Sequence, residues 1–269
     1  MRMILLLSLS LFTSVDADVA QTLLVRPAND LRDLMSSPMR MSRRNGVKLF
    51  LLSGVTIGLI FKLDASIDEE YGREDTFQPL GIPRAMRQVG RMVDKIGTTY
   101  FVLGTTGVFL LSGAITDDDG LINIAGLIFE ASVFTAGLTF VSKRLIGRAR
   151  PFADRGPREF HSVNTKTKRE NQSMPSGHAS SVFAAMTVLS NRYASRWVSV
   201  PAYGLAVSVA FQRIDSRSHW MSDVVLGGGL GYWVGKTVGG HPQDVSSTGL
   251  HFTPMPVCGG GGAAMRYVF

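Results

Sequence analysis

The chain has 269 residues, of which 45% are hydrophobic, and a formal net charge of +7. This length allows one or two domains with a sizeable core. A basic chain favours an anionic partner such as phosphate or a membrane surface, whereas nucleic acid is not expected because no aromatic-rich basic module is present. The single cysteine, Cys258, excludes an internal disulfide framework and a Cys-rich zinc site.

Residues 1–20 have the pattern of a secretory signal peptide. Arg2 precedes the apolar run 4–15, and small residues follow at Ala17 and Ala20. The run is too short to span a bilayer comfortably, although an uncleaved membrane anchor is the alternative. We therefore expect an exported protein, in which residues 21–46 form a basic N-terminal surface segment.

Apolar stretches with helical spacing follow, and they predict an all-α, antiparallel bundle of about six helices. The run 121–141 is the longest and the best candidate for a transmembrane helix, but most of the others are shorter than a bilayer span. The bundle is therefore either membrane-embedded or soluble. The predicted helices cover 47–61, 84–96 (amphipathic), 98–115, 121–141, 177–189, 197–211 and 223–238.

Two segments do not fit the helical pattern. Residues 152–173 are a long charged loop without a strong period. The tail, residues 240–269, contains a glycine run between β-prone stretches, which predicts either a small hairpin or a disordered tail.

Three polar clusters fall at the ends of predicted helices. If consecutive helices pack antiparallel, the end of 121–141, the start of 177–189 and the 211–223 connection share one rim of the bundle. That rim collects Lys143 and Arg150, then Ser176, Gly177 and His178, and finally Arg213, His219 and Asp223.

These residue types suit a multiply charged oxyanion such as phosphate. Arginine donates in a planar fork that matches phosphate oxygens, and lysine adds a point charge. The start of a helix at Ser176 and Gly177 offers free backbone N–H groups. Asp223, one turn after His219, can hold one ring nitrogen and leave the other free to attack phosphorus, while His178 donates a proton to the leaving oxygen.

Each cluster alone has a simpler interpretation. Ser-Gly-His is usually a helix cap, clustered arginines are usually a solvated charge run, and a His-Asp pair at this spacing is often a surface contact. Only their convergence on one rim favours a functional site. Arg144, Arg148, Asp215 and Arg217 are interpreted as solvated charges or contacts at the substrate rim.

The three clusters resemble the signature of the type 2 phosphatidic acid phosphatase and vanadium haloperoxidase superfamily. That signature is Lys, six residues and Arg-Pro, then Pro-Ser-Gly-His, then Ser-Arg, five residues, His, three residues and Asp. The matching positions are Lys143 to Pro151, Pro175 to His178, and Arg213, His219 and Asp223, with Gln212 in place of the family's serine. This departure concerns one supporting contact and no catalytic role.

The resemblance covers roughly residues 95–238, and it places a phosphatase domain at 47–239. It implies an α-helical bundle, catalysis without a metal or cofactor, and vanadate only as an inhibitor. It also assigns phosphate binding to Lys143, Arg150 and Arg213 with help from Ser176 and Gly177, the general acid to His178, the nucleophile to His219 and its orientation to Asp223.

Four functions are compatible with these observations. We expect a membrane phosphatase that acts on a phosphorylated lipid such as phosphatidic acid, a prenyl diphosphate or a lipid A phosphate. A secreted acid phosphatase of broad specificity is the main alternative, followed by a haloperoxidase and a non-catalytic lipid-binding protein. The active site is expected to face outward from the cell membrane, or to lie in the periplasmic or extracellular space. The sequence does not give the oligomeric state.

Overall fold

The computed structural model describes residues 26–36, 42–71, 84–161, 168–240, 249–257 and 260–268. The expected signal segment 1–20 and the single cysteine, Cys258, lie outside the described residues. The chain divides into two compact units, residues 1–50 and residues 51–269. The predicted rim lies entirely within the second unit.

Helices dominate the described residues. In chain order they are α1 Arg26–Ser36, α2 Arg43–Lys62, α3 Asp64–Tyr71, α4 Arg84–Ile96, α5 Thr98–Thr116, α6 Asp119–Ile146, α7 Gly177–Tyr193, α8 Arg196–Asp215 and α9 Met221–Val238.

The predicted helical bundle is confirmed, and each helix expected from the apolar spacing is present. The observed helices mostly extend a few residues beyond the apolar runs, because polar residues continue a helix as long as its backbone bonds are made. The short helices α1 and α3 were not expected. Single 3₁₀ turns at Pro151–Ala153 and Arg169–Asn171 lie in the charged connection between α6 and α7.

The tail forms the first of its two predicted alternatives, a hairpin. Strand β1, Gly249–Val257, pairs antiparallel with strand β2, Gly260–Val268. Glycines 260–262 of the run thus form the start of the second strand.

Side chains and glycines fix the helix ends that flank the rim. Asp118 begins α6 by accepting hydrogen bonds from the backbone N–H groups of Gly120 and Leu121. The same helix ends at Gly147, whose left-handed backbone (φ 61°) allows the chain to turn away. Ser176 begins α7 in the same way as Asp118 begins α6, by accepting from the N–H of Ala179.

Helix α7 is the centre of the bundle and packs against α6, α8 and α9. Its contact with α9 is unusually close, because three glycines spaced four apart face it. A methyl group on Gly227 would lie 2.5 Å from the carbonyl oxygen of Ser176, and one on Gly231 would lie 2.1 Å from that of Ser180. A methyl group on Gly235 would likewise lie 2.5 Å from the carbonyl oxygen of Ala184. Only glycine permits this approach, which is a common device for packing apolar helices.

Three of the described helices, α2, α5 and α6, are long and apolar enough to cross a membrane. In α2 and α5 only 11% and 17% of the most apolar window is buried within the protein. Large side chains such as Phe50 (77% exposed) and Ile115 (83% exposed) therefore face the surroundings. An apolar surface of this extent is characteristic of contact with a membrane or with another protein.

Candidate active site

The structure brings the three polar clusters together at one end of the bundle, as the antiparallel packing predicted. The end of α6, the start of α7 and the connection from α8 to α9 meet there. We call the five residues that line this end the anion cradle: Lys143, Arg150, Ser176, Gly177 and Arg213.

Two cations of the anion cradle converge on one backbone oxygen. The Nζ atom of Lys143 donates to the carbonyl of Gln172 over 2.8 Å, and the guanidinium of Arg150 donates to the same oxygen over 3.3 Å. Arg150 also reaches the carbonyl of Ser218 at 3.4 Å. Because they share an acceptor, the two positive charges lie side by side, which favours a multiply charged anion between them.

The third cation, Arg213, is held by two neighbouring side chains. Its guanidinium pairs with Asp94 of α4 and donates to the side-chain oxygen of Gln212. The amide of Gln212 in turn donates to Asp94 over 2.8 Å. Gln212 stands where the family signature has serine, and it supplies an orienting contact to the arginine.

The start of α7 completes the anion cradle with backbone groups. Ser176 is fully buried, and its N–H donates to the carbonyl of Asp223 over 2.9 Å. A methyl group on Gly177 would lie 3.9 Å from Cε of Lys143, so that lysine passes close to the helix start. The positive end of a helix therefore adds to the side-chain charges.

His219 lies near Lys143 and Arg150, whose charges act on its ring, and is 1% exposed. Its Nδ1 atom lies 3.9 Å from the carboxylate of Asp223, which is longer than a hydrogen bond, and it has no hydrogen-bond partner among the described residues. The predicted neighbour is therefore present but not in bonding contact. Hydrogen bonds of catalytic histidines commonly shorten when substrate binds.

Burial determines the protonation of both site histidines. It lowers the pKa of His219 to about 3, and burial together with the charge of Arg213 lowers the pKa of His178 to about 4. The two rings lie 6.5 Å apart between centroids. Both imidazoles are therefore neutral at pH 7, which is the form that a nucleophile needs.

The carboxylate of Asp223 is held by several donors. One oxygen accepts from the hydroxyl of Ser173 and, over 2.9 Å, from the backbone N–H of Trp220, which caps the start of α9. The other oxygen accepts from Arg148 over 2.6 Å. Burial alone would raise the pKa of Asp223, but the adjacent His219 ring, Arg148 and Ser173 together lower it below its usual value.

The interpretation of Arg148 as a solvated charge is wrong. Its side chain is fully buried and bridges two fully buried carboxylates, Asp64 of α3 at 2.8 Å and Asp223 of α9 at 2.6 Å. It also donates to the hydroxyl of Ser222 and to the carbonyl of Pro157. The residues on either side of it, Gly147 and Ala149, are buried as well.

The other three charged residues outside the signature differ in their surroundings. Arg217 is paired with Asp68 at 2.9 Å and with Asp154 at 2.8 Å, so it links α3 to the charged connection. Asp215 lies 3.9 Å from Arg91, in a weak and exposed pair. The guanidinium of Arg144 stacks on the ring of Phe140 at 3.4 Å. Of the four, Arg217 and Arg148 thus have structural contacts that the sequence analysis missed.

This end of the bundle has the parts of a phosphoryl-transfer site. Three cations and a helix start lie at the same end of the bundle as two neutral histidines, whose ring centroids are 6.5 Å apart. In the part of the chain that the structure describes, no group of three or more histidine, cysteine or acidic residues could hold a metal ion. The fold and the site together define a helical phosphatase.

Comparisons with known proteins point to the superfamily that the sequence resembles. Residues 124–239 match the sequence model of the PAP2 superfamily. The matched region includes the anion cradle and both histidines. Over these residues the chain is similar to the PAP2 superfamily, which supports the phosphatase that its resemblance to the type 2 phosphatidic acid phosphatases implied.

Three curated relatives carry the same name. The lipid A 1-phosphatase of Rhizobium etli is 29% identical over 167 residues, or 56% of this chain and 69% of that protein. The lipid A 1-phosphatase of Rhizobium johnstonii is 29% identical over 174 residues, or 58% of this chain and 68% of that protein. The lipid A 1-phosphatase of Porphyromonas gingivalis is 39% identical over 75 residues, which are 24% of this chain and only 17% of that protein. No solved structure matches the chain.

Proposed function

We propose that the protein is a membrane phosphatase that removes a phosphate group from a phosphorylated lipid of the lipid A type, through a phosphohistidine on His219. The observation that carries this proposal is the anion cradle close to a buried, neutral histidine, whose ring is within reach of the charges of Lys143 and Arg150. The names of the relatives favour a lipid A 1-phosphate as the substrate. The apolar surfaces of α2 and α5 favour a substrate that stays in the membrane.

Phosphate binding is the first step. Lys143, Arg150 and Arg213 contact the three non-bridging oxygens of the phosphate, and the backbone N–H groups at the start of α7 add further donors. Lys143 and Arg150 exchange their bond to the carbonyl of Gln172 for bonds to the phosphate. Arg213 keeps its contacts with Asp94 and Gln212, so its orientation costs little entropy on binding.

The nucleophile is His219. Its Nδ1 faces Asp223, so Nε2 attacks phosphorus while the bond between phosphorus and the lipid oxygen breaks. The ring becomes positively charged as the new N–P bond forms, and the carboxylate of Asp223 stabilises that charge. Because Asp223 is buried and has a lowered pKa, it remains ionised throughout the reaction.

His178 supplies the proton for the leaving oxygen. Its pKa of about 4 reflects burial and three nearby cations, Arg213, Lys143 and Arg150. A bound phosphate neutralises those cations, so the pKa of His178 rises when substrate binds and the ring takes up a proton. After the lipid alcohol leaves, the neutral ring accepts a proton from water as the water oxygen attacks the phosphohistidine, and inorganic phosphate is released.

We further propose that the protein is exported and that its active site faces outward at the cell membrane. The signal-like N-terminal segment supports this location. The proposal is checked by adding a phosphorylated lipid to intact and to lysed cells. Equal phosphate release from both is expected, whereas release only after lysis would place the site inside.

The substrate is tested with a panel. Membrane and soluble fractions of cells that produce the full-length protein are incubated separately with lipid A, phosphatidic acid, undecaprenyl diphosphate and a soluble aryl phosphate. The highest kcat/KM is expected for lipid A, in the membrane fraction. A preference for the aryl phosphate in the soluble fraction would instead indicate a secreted acid phosphatase of broad specificity.

The mechanism is tested by trapping the intermediate. A radiolabelled substrate quenched after milliseconds should give a phosphoprotein that is stable to base and labile to acid, as a phosphoramidate is. His219→Ala should give none. Vanadate should inhibit competitively and EDTA should have no effect. Activity that disappears on chelation and returns with a divalent cation would contradict the metal-free mechanism.

A further inference from the structure

Helix α4 has three different faces. Gly90 and Val93 are buried and pack against α8, where a methyl group on Gly90 would lie 2.3 Å from the carbonyl oxygen of Ser208. A second face, at 100° per residue, carries Arg84, Arg87, Arg91 and Lys95. Between them lies a stripe of exposed apolar residues.

That stripe is narrow and continuous. It consists of Ala85, Val89, Met92 and Ile96, which fall within about 60° of the helix circumference. Val89 is 37% exposed, Met92 64% and Ile96 58%. One edge of the stripe adjoins the buried face and the other adjoins the cations. We call it the α4 stripe.

We propose that α4 lies in the surface of a membrane, with the α4 stripe inserted among the acyl chains and its cations on anionic lipid headgroups. Four cations in 13 residues exclude a transmembrane orientation. Exposed apolar residues beside Lys and Arg are the pattern of an interfacial helix. The position in the chain agrees, because α5 is a candidate membrane span and starts at Thr98, two residues after α4 ends.

The same helix reaches the active site. Asp94 lies on α4 between the buried face and the cations, and it pairs with Arg213 and accepts from Gln212. The depth of α4 in the bilayer therefore sets the distance of the anion cradle from the headgroups. The location of α4 does not depend on the substrate, whereas this consequence for catalysis rests on the proposed function.

The location is tested by site-directed spin labelling. Full-length protein with Cys258→Ser is placed in nanodiscs of phosphatidylcholine and phosphatidylglycerol, and single cysteines are introduced as Val89→Cys and Met92→Cys. Arg91→Cys is the matched control, because Arg91 is exposed on the same helix but lies about 130° from the centre of the α4 stripe. Collision with oxygen, which concentrates in lipid, is compared with collision with a water-soluble nickel chelate.

Labels at 89 and 92 should collide mainly with oxygen, and the label at 91 mainly with the nickel chelate. Equal access of the chelate to all three positions would place the α4 stripe in water and overturn the proposal. Labels at 89 and 92 that are shielded from both reagents would also overturn it, because they would show a protein partner or a second copy in place of lipid.

A kinetic measurement tests the link to catalysis. Met92→Glu should reduce turnover of a lipid phosphate in nanodiscs by about tenfold or more, since a charge disfavours insertion, but leave turnover of a soluble aryl phosphate in detergent within about twofold. Equal losses on both substrates would contradict the link. If the unmodified protein releases no lipid phosphate while labels 89 and 92 lie in lipid, the proposed function fails and the location of α4 stands.

Discussion

Replacing Arg148 by methionine removes the only charge that joins two buried carboxylates in the described part of the chain. Methionine fills a similar volume, so the change tests charge more than packing. Asp64 and Asp223 would remain fully buried without their common cation. Breaking a buried ion pair in this way costs about 3–5 kcal/mol. For a domain of this size that corresponds to a fall in Tm of roughly 6–20 °C.

The assay is thermal unfolding of full-length protein in one detergent at one scan rate. Arg217→Met is the matched control, because it also removes an arginine that bridges two aspartates, but its side chain is 32% exposed. An exposed pair contributes about 0–1 kcal/mol. The control should therefore lower the Tm by only a few degrees.

A double variant separates the charge effect from general damage. Adding Asp64→Asn to Arg148→Met removes one of the two uncompensated charges. The double variant should therefore be destabilised by less than the sum of the losses measured for the two single variants. If Arg148→Met lowers the Tm no more than Arg217→Met does, the buried bridge does not hold α3 and α9 together and the reasoning is refuted.

The remaining predictions concern the site and its packing. His219→Ala should lower kcat by about four or more orders of magnitude, and turnover above one per cent of normal would contradict the nucleophile. Asp94→Asn should raise KM by about tenfold, because Arg213 loses a charged hydrogen bond, and an unchanged KM would show that Gln212 alone orients it. Gly231→Ala should destabilise by about 1–3 kcal/mol, because its methyl group meets a backbone carbonyl; Gly204→Ala, with open space around it, should be neutral or stabilising in the same Tm assay. The pKa of His178 is lowered from 6.5 to about 4, so its contribution to stability is complete above pH 6.5 and is lost as the pH falls toward 4. The Tm of the unmodified protein should therefore fall more steeply over that range than that of His178→Asn, and parallel curves would contradict the assignment.

The amino-acid sequence determined the helices and the order of the clusters at their ends. Apolar spacing and helix caps are local signals, since each depends on residues within a turn or two. Antiparallel packing of consecutive helices then brings the end of α6, the start of α7 and the α8–α9 connection to one rim. Lys143, Ser176 and His219 could therefore be placed together without coordinates.

The spacing of glycines in α9 is a further local signal in the sequence. Gly227, Gly231 and Gly235 recur at intervals of four, which predicts a close helix contact in an apolar chain. At these three glycines α9 packs directly against the backbone of α7. This contact brings the backbone of Ser176 to that of Asp223 and so sets the distance between two of the clusters.

Only the tertiary structure decided which of the surrounding charges are buried. Arg144, Arg148 and Arg150 lie within seven residues of one another, and nothing local separates them. Arg148 is buried because Asp64, 84 residues earlier in the chain, arrives beside it. Arg213 is likewise oriented by Asp94, whose partner Gln212 is 118 residues away. A charged side chain is buried only where an opposite charge pairs with it, and whether the two come together depends on how distant helices pack.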